Sequence, residues 1–540
     1  MLVYGDHADR AEPRALLAQL RSRIEEQRGC DTWALVEAGR LVQGLLDDEM
    51  SALGKDDCTP LSDACSRWMA ALAHGDPEVP QALEKLEQLA LPEAVSLRVP
   101  EGYAFYAVYP ELYALAAREL AGPVQAIGVR SIGTSLGATV AANAGGPPPL
   151  SVRPVGDPFR RELRLGPGMK GRLSAEVSHA IVDEGPGLSG SSLLCVAREL
   201  MARGVPEERI HVFPSHGGNP GAEASSEDQA VWQRLRRHWR PFEDLADRLP
   251  TWCADLTGDP LAPPDDLSGG RWRALTDVDA PANVKQERRK YLLRTARGTF
   301  LLKFAGLGAA GDRVLRRART LAEAGFGPPA LGLRNGFLVQ KWLQGRLPRP
   351  GEGLLERVAE YVAFRSRALP ATDGTGASPG RLLEMARHNA GLVLGDTQAG
   401  ALDRWAPRLG ALSRDVVRVE TDNRMHRWEW LQLTDGRIVK ADGADHCRGH
   451  DLVGCQDPAW DLAGAAVELE LDARILMQRF RAHDGRGAVP EVLAFCRPCY
   501  LAFQLGSATL AAEGLPSEDS VRLRSAAARY TALLARELRS

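Results

Sequence analysis

Ala180–Ser192 reads AIVDEGPGLSGSS. A short apolar run ends in two acids, Asp183 and Glu184. A loop of small residues follows, and then SSLLCVARELMARG, whose apolar residues recur at helical spacing. Glycines let backbone N–H groups crowd around an anion, serines add hydroxyl donors, and a helix N-terminus adds partial positive charge. Two neighbouring carboxylates at a strand end suit the two hydroxyls of a sugar, which are donors. The stretch therefore predicts a ribose 5-phosphate site at the end of a strand.

Working outward, residues from 96 to about 215 alternate β-rich runs (SLRV, YAFYAVY, VQAIGV, HAIVDE, IHVFPS) with helical ones (ELYALAARELA, LGATVAANA, SSLLCVARELMARG). That alternation predicts a parallel α/β sheet. The upstream piece VQAIGVRSIGTSLGATVAANA repeats the strand–loop–helix pattern, with Arg130, Ser131, Gly133, Thr134 and Ser135 in the loop.

These residues resemble the type I phosphoribosyltransferase family. The resemblance implies that Asp183 and Glu184 hold the ribose hydroxyls of phosphoribosyl pyrophosphate (PRPP) and act in catalysis. It places Gly187, Ser189, Gly190, Ser191 and Ser192 around the 5-phosphate, and Arg130, Ser131, Gly133, Thr134 and Ser135 around the pyrophosphate. The loop is one residue longer than the family's, and serine stands for threonine. Between the two loops, SVRPVGDPFRRELRLGPGMKGR offers Arg153, Arg160, Arg161 and Lys170 as cations for the leaving group, with no basis for choosing among them. Ser215 and His216, after the next strand, lie where an acceptor pocket would be.

The second half reads differently. KYLLRTARGTFLLKFAG is two strands joined by a turn at Ala296–Gly298, followed by a helix, DRVLRRARTLAEAG, and a strand, FLVQKWLQG. Mostly helix follows, broken by loops over 417–460. Lys303 ends a strand, Asp442 sits in KADG, and Asp457–Ala465 reads DPAWDLAGA. In that order these pieces resemble the protein-kinase-like fold of aminoglycoside phosphotransferases. The resemblance implies that Lys303 binds ATP phosphates, that Asp422 is the catalytic base, and that Asp442 and Glu429 hold Mg²⁺. Asp461 would brace the catalytic loop. Glu429 stands where the family has Asn, two residues late, and the helix at 312–325 offers Lys303 no well-placed glutamate. The literal GxGxxG at Gly306–Gly311 lacks the acid a dinucleotide fold needs about 20 residues on.

With 540 residues, the chain exceeds one hydrophobic core at roughly 150 residues per domain. The expected architecture is a multidomain α/β protein. A helical region (1–95) precedes a parallel-sheet phosphoribosyltransferase-like domain (96–250). A linker (251–272) leads to a bilobal kinase-like α+β domain (273–540). A net charge of -3 offers no basic field for nucleic acid, and no apolar run reaches the ~20 residues of a membrane helix. The N-terminus lacks the apolar segment of a secretory signal, so a cytoplasmic location is expected. The nine cysteines show no disulfide framework, and Cys447, His446, His450 and Cys455 match no zinc spacing.

The functional expectation is transfer of ribose 5-phosphate from PRPP, with Mg²⁺, to an unidentified nucleobase-like acceptor. The second half would phosphorylate a small-molecule hydroxyl with ATP. Two alternatives stand beside it: a kinase-only enzyme whose first half binds a nucleotide, and a non-catalytic nucleotide sensor.

Overall fold

A computed structural model describes the chain except residues 3–7, 28–29, 277, 350, 373–374, 450, 514–517 and 540, and the side chain of Glu352. His450 of the Cys/His cluster thus lies outside the described residues. The chain divides into two units. One comprises Ala8–Leu249 with Gly306–Ala310; the other comprises Met1–His7, Pro250–Ala305 and Gly311–Ser540.

In the unit built on Ala8–Leu249, five strands form one sheet: β1 (Val124–Val129), β2 (Leu150–Val152), β3 (Ser178–Val182), β4 (Ile210–Phe213) and β5 (Arg236–Arg237). Their spatial order is β2-β1-β3-β4-β5, and every neighbouring pair is parallel. All six residues of β1 are buried, as befits a parallel strand covered on both faces. The helix Gly133–Asn143 starts hard against the sheet, since a Cβ on Gly133 would collide with the Val182 carbonyl.

The N-terminal helices belong to this same unit. Asp31 caps Thr32–Leu53 by accepting the Ala34 N–H at 2.8 Å, and Thr59 with Ser62 forms a capping box on Pro60–His74. Leu41, Leu45, Trp68 and Leu72 bury their apolar faces in one core. Two expected strands of the parallel sheet are absent from it. Val95–Leu97 pairs antiparallel with Asp9–Ala11 instead, and YAFYAVY starts in the last two residues of the short helix Glu101–Ala104 and forms no strand. Tyr103, Phe105 and Tyr109 are all buried, so their alternation reflected core packing and not a pleated edge.

In the other unit, β6 (Asp265–Asp266), β7 (Lys290–Thr295), β8 (Gly298–Phe304), β9 (Ala330–Arg334) and β10 (Phe337–Lys341) form an antiparallel sheet in the order β6-β7-β8-β10-β9. The stretch expected as a linker is built into this sheet. Asp265 and Asp266 pair with Leu292 and Tyr291, the Leu261 N–H donates to Arg294 O at 2.9 Å, and Thr295 Oγ1 donates to Thr257 O at 2.7 Å. Its prolines and acids read as a flexible run, yet their backbone supplies the edge of a sheet. Helices follow, among them Glu352–Ala368, Pro379–Leu394, Pro458–Glu468, Pro490–Ala512 and Glu518–Glu537, around a core that includes Tyr361, Trp430, Trp460 and Tyr500. Within that part, β11 (Gly345–Arg346), β12 (Trp430–Leu433) and β13 (Ile438–Lys440) form a small antiparallel sheet. Cys496 and Cys499 are buried free thiols in the helix Pro490–Ala512.

Candidate functional site

Lys303 lies on β8, the middle strand of the antiparallel sheet, opposite Lys290 on one side and Leu338 on the other. Its Nζ reaches both carboxylate oxygens of Asp442 at 2.6 Å and Asp445 at 3.0 Å. Asp442 lies two residues past the end of β13, so the hairpin β12–β13 delivers the loop acid to the sheet lysine. Asp445 also pairs with Arg288, whose Nε lies 2.7 Å from Oδ2. Burial pushes the Asp442 carboxyl up, but Lys303 and His446 more than reverse this and hold it well below the ordinary range. The one glutamate of the helix Gly308–Glu323, Glu323, is exposed. Lys303 finds its acids in the loop, while the helix supplies a cation, Arg317, to Glu420 at 3.2 Å.

Asp422 is fully buried. Its backbone N–H and that of Asn423 donate to the Asp461 carboxylate at 2.8 and 2.9 Å. Asn423 adopts the left-handed conformation (φ 67°), which Asn tolerates better than most residues. The helix carrying Asp461 starts at Pro458 and is capped by Asp457, which accepts the Ala459 N–H at 2.9 Å. Thus DPAWD fixes the backbone on which Asp422 sits. Asp422 Oδ2 accepts the Tyr361 hydroxyl at 2.5 Å, and Oδ1 lies 3.1 Å from His446 Nδ1.

Lys440, the last residue of β13, lies between the expected base and the expected metal ligands. Its Nζ is 3.2 Å from Asp422 Oδ2 and 2.5 Å from Glu429 Oε2, and it donates to the Asp442 carbonyl. Burial disfavours its charge, but Asp422 and Glu429 outweigh burial and hold its pKa above the ordinary lysine value. Burial likewise opposes charge on His446, yet Asp442 and Asp445 raise its pKa to about 9. Asp442 and Glu429, expected as a metal pair, fall into separate clusters: Asp442 with Asp445 and His446, Glu429 with Asp422 and His446. Sequence reasoning missed Asp445, His446 and Lys440 as members of the site. The acids and histidine of ADGADH, three and four residues apart, were the available signal.

In the unit with the parallel sheet, the loops after β1 and β3 leave the C-terminal ends of adjacent strands. Asp183 and Glu184 are half-buried. Burial raises both carboxyls to about 7, and Asp183 adds to the rise at Glu184. The Asp183 carboxylate accepts the Glu184 N–H at 2.8 Å, and Glu184 turns to the Gly102 N–H, also at 2.8 Å. Gly187 (φ 56°) and Gly190 (φ 71°) shape the turn before the helix Ser191–Ala202. The hydroxyls of Ser189 and Ser191 are linked to each other at 3.0 Å, and Ser191 donates to the Pro158 carbonyl at 2.8 Å. Ser192 is half-buried. His216 is exposed, and its Nδ1 accepts the Gly218 N–H at 3.0 Å.

The other expected anion loop is occupied by protein carboxylates. Arg130 is buried and ion-paired to Asp56, with Asp47 3.5 Å away. Arg153 binds Asp47 through Nε at 2.9 Å and Nη2 at 2.6 Å. Ser135 is bonded to the Tyr103 hydroxyl at 2.8 Å, Ser131 is half-buried, and Thr134 Oγ1 is buried without a partner. Arg160 and Lys170 are exposed, and Arg161 is half-buried.

No family model matches the chain, and no curated protein matches it. Among solved structures it is similar to choline kinase LicA from Streptococcus pneumoniae (16% identity, TM-score 0.33, 45% of this chain and 89% of that one). It is also similar to a macrolide 2'-phosphotransferase type I (15% identity, TM-score 0.35, 52% of this chain and 95% of that one). A third is spectinomycin phosphotransferase APH(9)-Ia in complex with ADP and spectinomycin (12% identity, TM-score 0.34, 54% of this chain and 97% of that one). Likeness at this level assigns no residue role and no substrate to the chain. Among the described residues, no helix is long and apolar enough to cross a membrane.

Proposed function

We propose that the unit containing Lys303 is a kinase-like, ATP-dependent phosphotransferase acting on a small-molecule hydroxyl. The observation that carries this reading is the meeting of Lys303 with Asp442 at 2.6 Å across 139 residues of chain. In this reading Lys303 exchanges Asp442 for the donor phosphates, which frees the Asp442 carboxylate. Asp442 and Asp445 then fit one Mg²⁺, a hard ion that takes one or two carboxylates together with phosphate oxygens. Bound there, the ion would neutralise charge on the transferring phosphoryl group.

Asp422 is the candidate base. Asp422 Oδ2 already accepts a hydroxyl proton donor, that of Tyr361. An acceptor that displaced it would present its proton to the same oxygen. Asp461 keeps that carboxylate in place through the backbone, so most of the chemistry is positioning. The test is ADP formation by the full chain over a panel of hydroxyl compounds. Asp422→Asn should lower turnover by about 100-fold or more, as loss of a general base does, and Asp442→Ala should abolish it. ATP consumption that survives both substitutions would overturn the reading.

A second reading is favoured by one observation: the acidic strand end at Asp183 and the loop at Arg130 lie side by side on adjacent parallel strands. It assigns this unit to PRPP binding and ribosyl transfer. Pyrophosphate release from PRPP with a nucleobase panel, lost in Asp183→Asn/Glu184→Gln, tests it. Binding of PRPP without release would make this unit a sensor, and no binding would remove the reading.

A further inference from the structure

We infer that Lys440 is the resident cation of the Asp422–Glu429 pair, standing in the place of a divalent ion, so that the site takes its nucleotide with one metal ion and not two. The inference deepens the phosphotransferase reading and rests on it for the nucleotide.

Three observations carry it. An ammonium has three N–H donors. Those of Lys440 face three acceptors: Asp422 Oδ1 at 3.4 Å, Glu429 Oε2 at 2.5 Å and the Asp442 carbonyl. The cluster is closed, with side-chain exposures of 1% for Lys440, 0% for Asp422 and 12% for Glu429. Lys440 is anchored by β13, and its backbone N–H donates to the Phe326 carbonyl at 2.7 Å. Swinging its side chain aside would leave the buried carboxylates of Asp422 and Glu429 without their cation.

The acceptor side is equally committed. Asp422 Oδ2 already takes the Tyr361 hydroxyl, and Oδ1 faces His446 at 3.1 Å. Mg²⁺ needs near-octahedral oxygen ligands about 2 Å away. It cannot share these oxygens with an ammonium at 2.5–3.4 Å, which repels it in a medium of low dielectric. The same arrangement accounts for the departure at position 429. A neutral Asn there would leave the ammonium with Asp422 as its one adjacent carboxylate, whereas Glu429 supplies a second.

The test counts Mn²⁺ bound to the full chain by electron paramagnetic resonance, with and without a non-hydrolysable ATP analogue. The wild type should bind one ion with the analogue, and Glu429→Gln should leave Mn²⁺ affinity within about twofold, far short of the tenfold or more expected for lost coordination. Lys440→Met should gain one ion, and Lys440→Met/Glu429→Gln should lose it again. Two ions on the wild type, about tenfold weaker binding in Glu429→Gln, or a folded Lys440→Met that gains none would overturn the inference. If Lys440→Met does not fold, the wild-type count and Glu429→Gln decide. These readouts are ion counts, so a protein that transfers no phosphoryl group fails the phosphotransferase reading and still tests this one.

Discussion

Asp461 accepts the backbone N–H of Asp422 at 2.8 Å, a bond that spans 39 residues of chain. With the bond from Asn423, it fixes the peptide on which the candidate base sits. Asp461→Ala leaves two buried N–H groups unpaired, each costing about 1–3 kcal/mol. The expected loss is about 2–6 kcal/mol, read as a lower denaturation midpoint. Asp461→Asn keeps one acceptor oxygen and should lose roughly half as much.

Arg130 and Asp56 form a buried ion pair in the other unit. Arg130→Ala leaves Asp56 without its cation, keeping only the bond from the Arg153 N–H, and breaking a buried pair in this way costs about 3–5 kcal/mol. Arg130→Ala/Asp56→Asn should recover a large part of that loss. A double variant no more stable than Arg130→Ala would show that the pair is not coupled. Urea denaturation monitored by tryptophan fluorescence makes the measurement.

Asp183 and Glu184 give a pH signature. Their pKa values are raised to about 7 in the fold, from ordinary values of 3.8 and 4.5. The folded state therefore holds protons that the unfolded chain has released, and stability falls as pH rises from about 4 to 7. Asp183→Asn/Glu184→Gln should melt higher than the wild type at pH 8 and at the same temperature at pH 4. Equal melting at both pH values would contradict the burial of these carboxyls.

His211 and His238 titrate in the opposite sense. Their rings share one hydrogen bond, Nδ1 to Nε2 at 2.9 Å, so one must donate and the other accept. Burial lowers both pKa values, and His238 and Arg236 help bring His211 to about 4. The unfolded chain takes up protons first, so stability falls as pH drops from about 6.5 towards 4. His211→Gln should flatten that slope in thermal melts between pH 7.5 and pH 4.5.

Strand–loop–helix punctuation was legible wherever an apolar run met a small-residue loop, and VQAIGV, HAIVDE and IHVFPS all became parallel strands. YAFYAVY misled because aromatic residues buried on every side imitate a strand's composition. The segment 251–272 misled because pairing at a sheet edge is done by backbone, which leaves little trace in side-chain composition. Lys303, Asp442, Asp422 and Asp461 were readable from local phrases, and the fold brings them to one place. What local phrases could not show was where each charge would find its partner. Lys440 pairs with Glu429 from a facing strand, Asp445 pairs with Lys303, and Asp47 and Asp56 engage the arginines expected to meet pyrophosphate.

The short strand Asp265–Asp266 sets where the protein can be cut. It caps one side of Lys290–Thr295, and a fragment starting at residue 273 would bare that strand's N–H and C=O groups. An exposed row of this kind is a template for pairing with another chain. A fragment begun at Pro250 keeps this edge strand and should associate less than one begun at residue 273, so the useful cleavage point lies upstream of the proline-rich run expected as a linker.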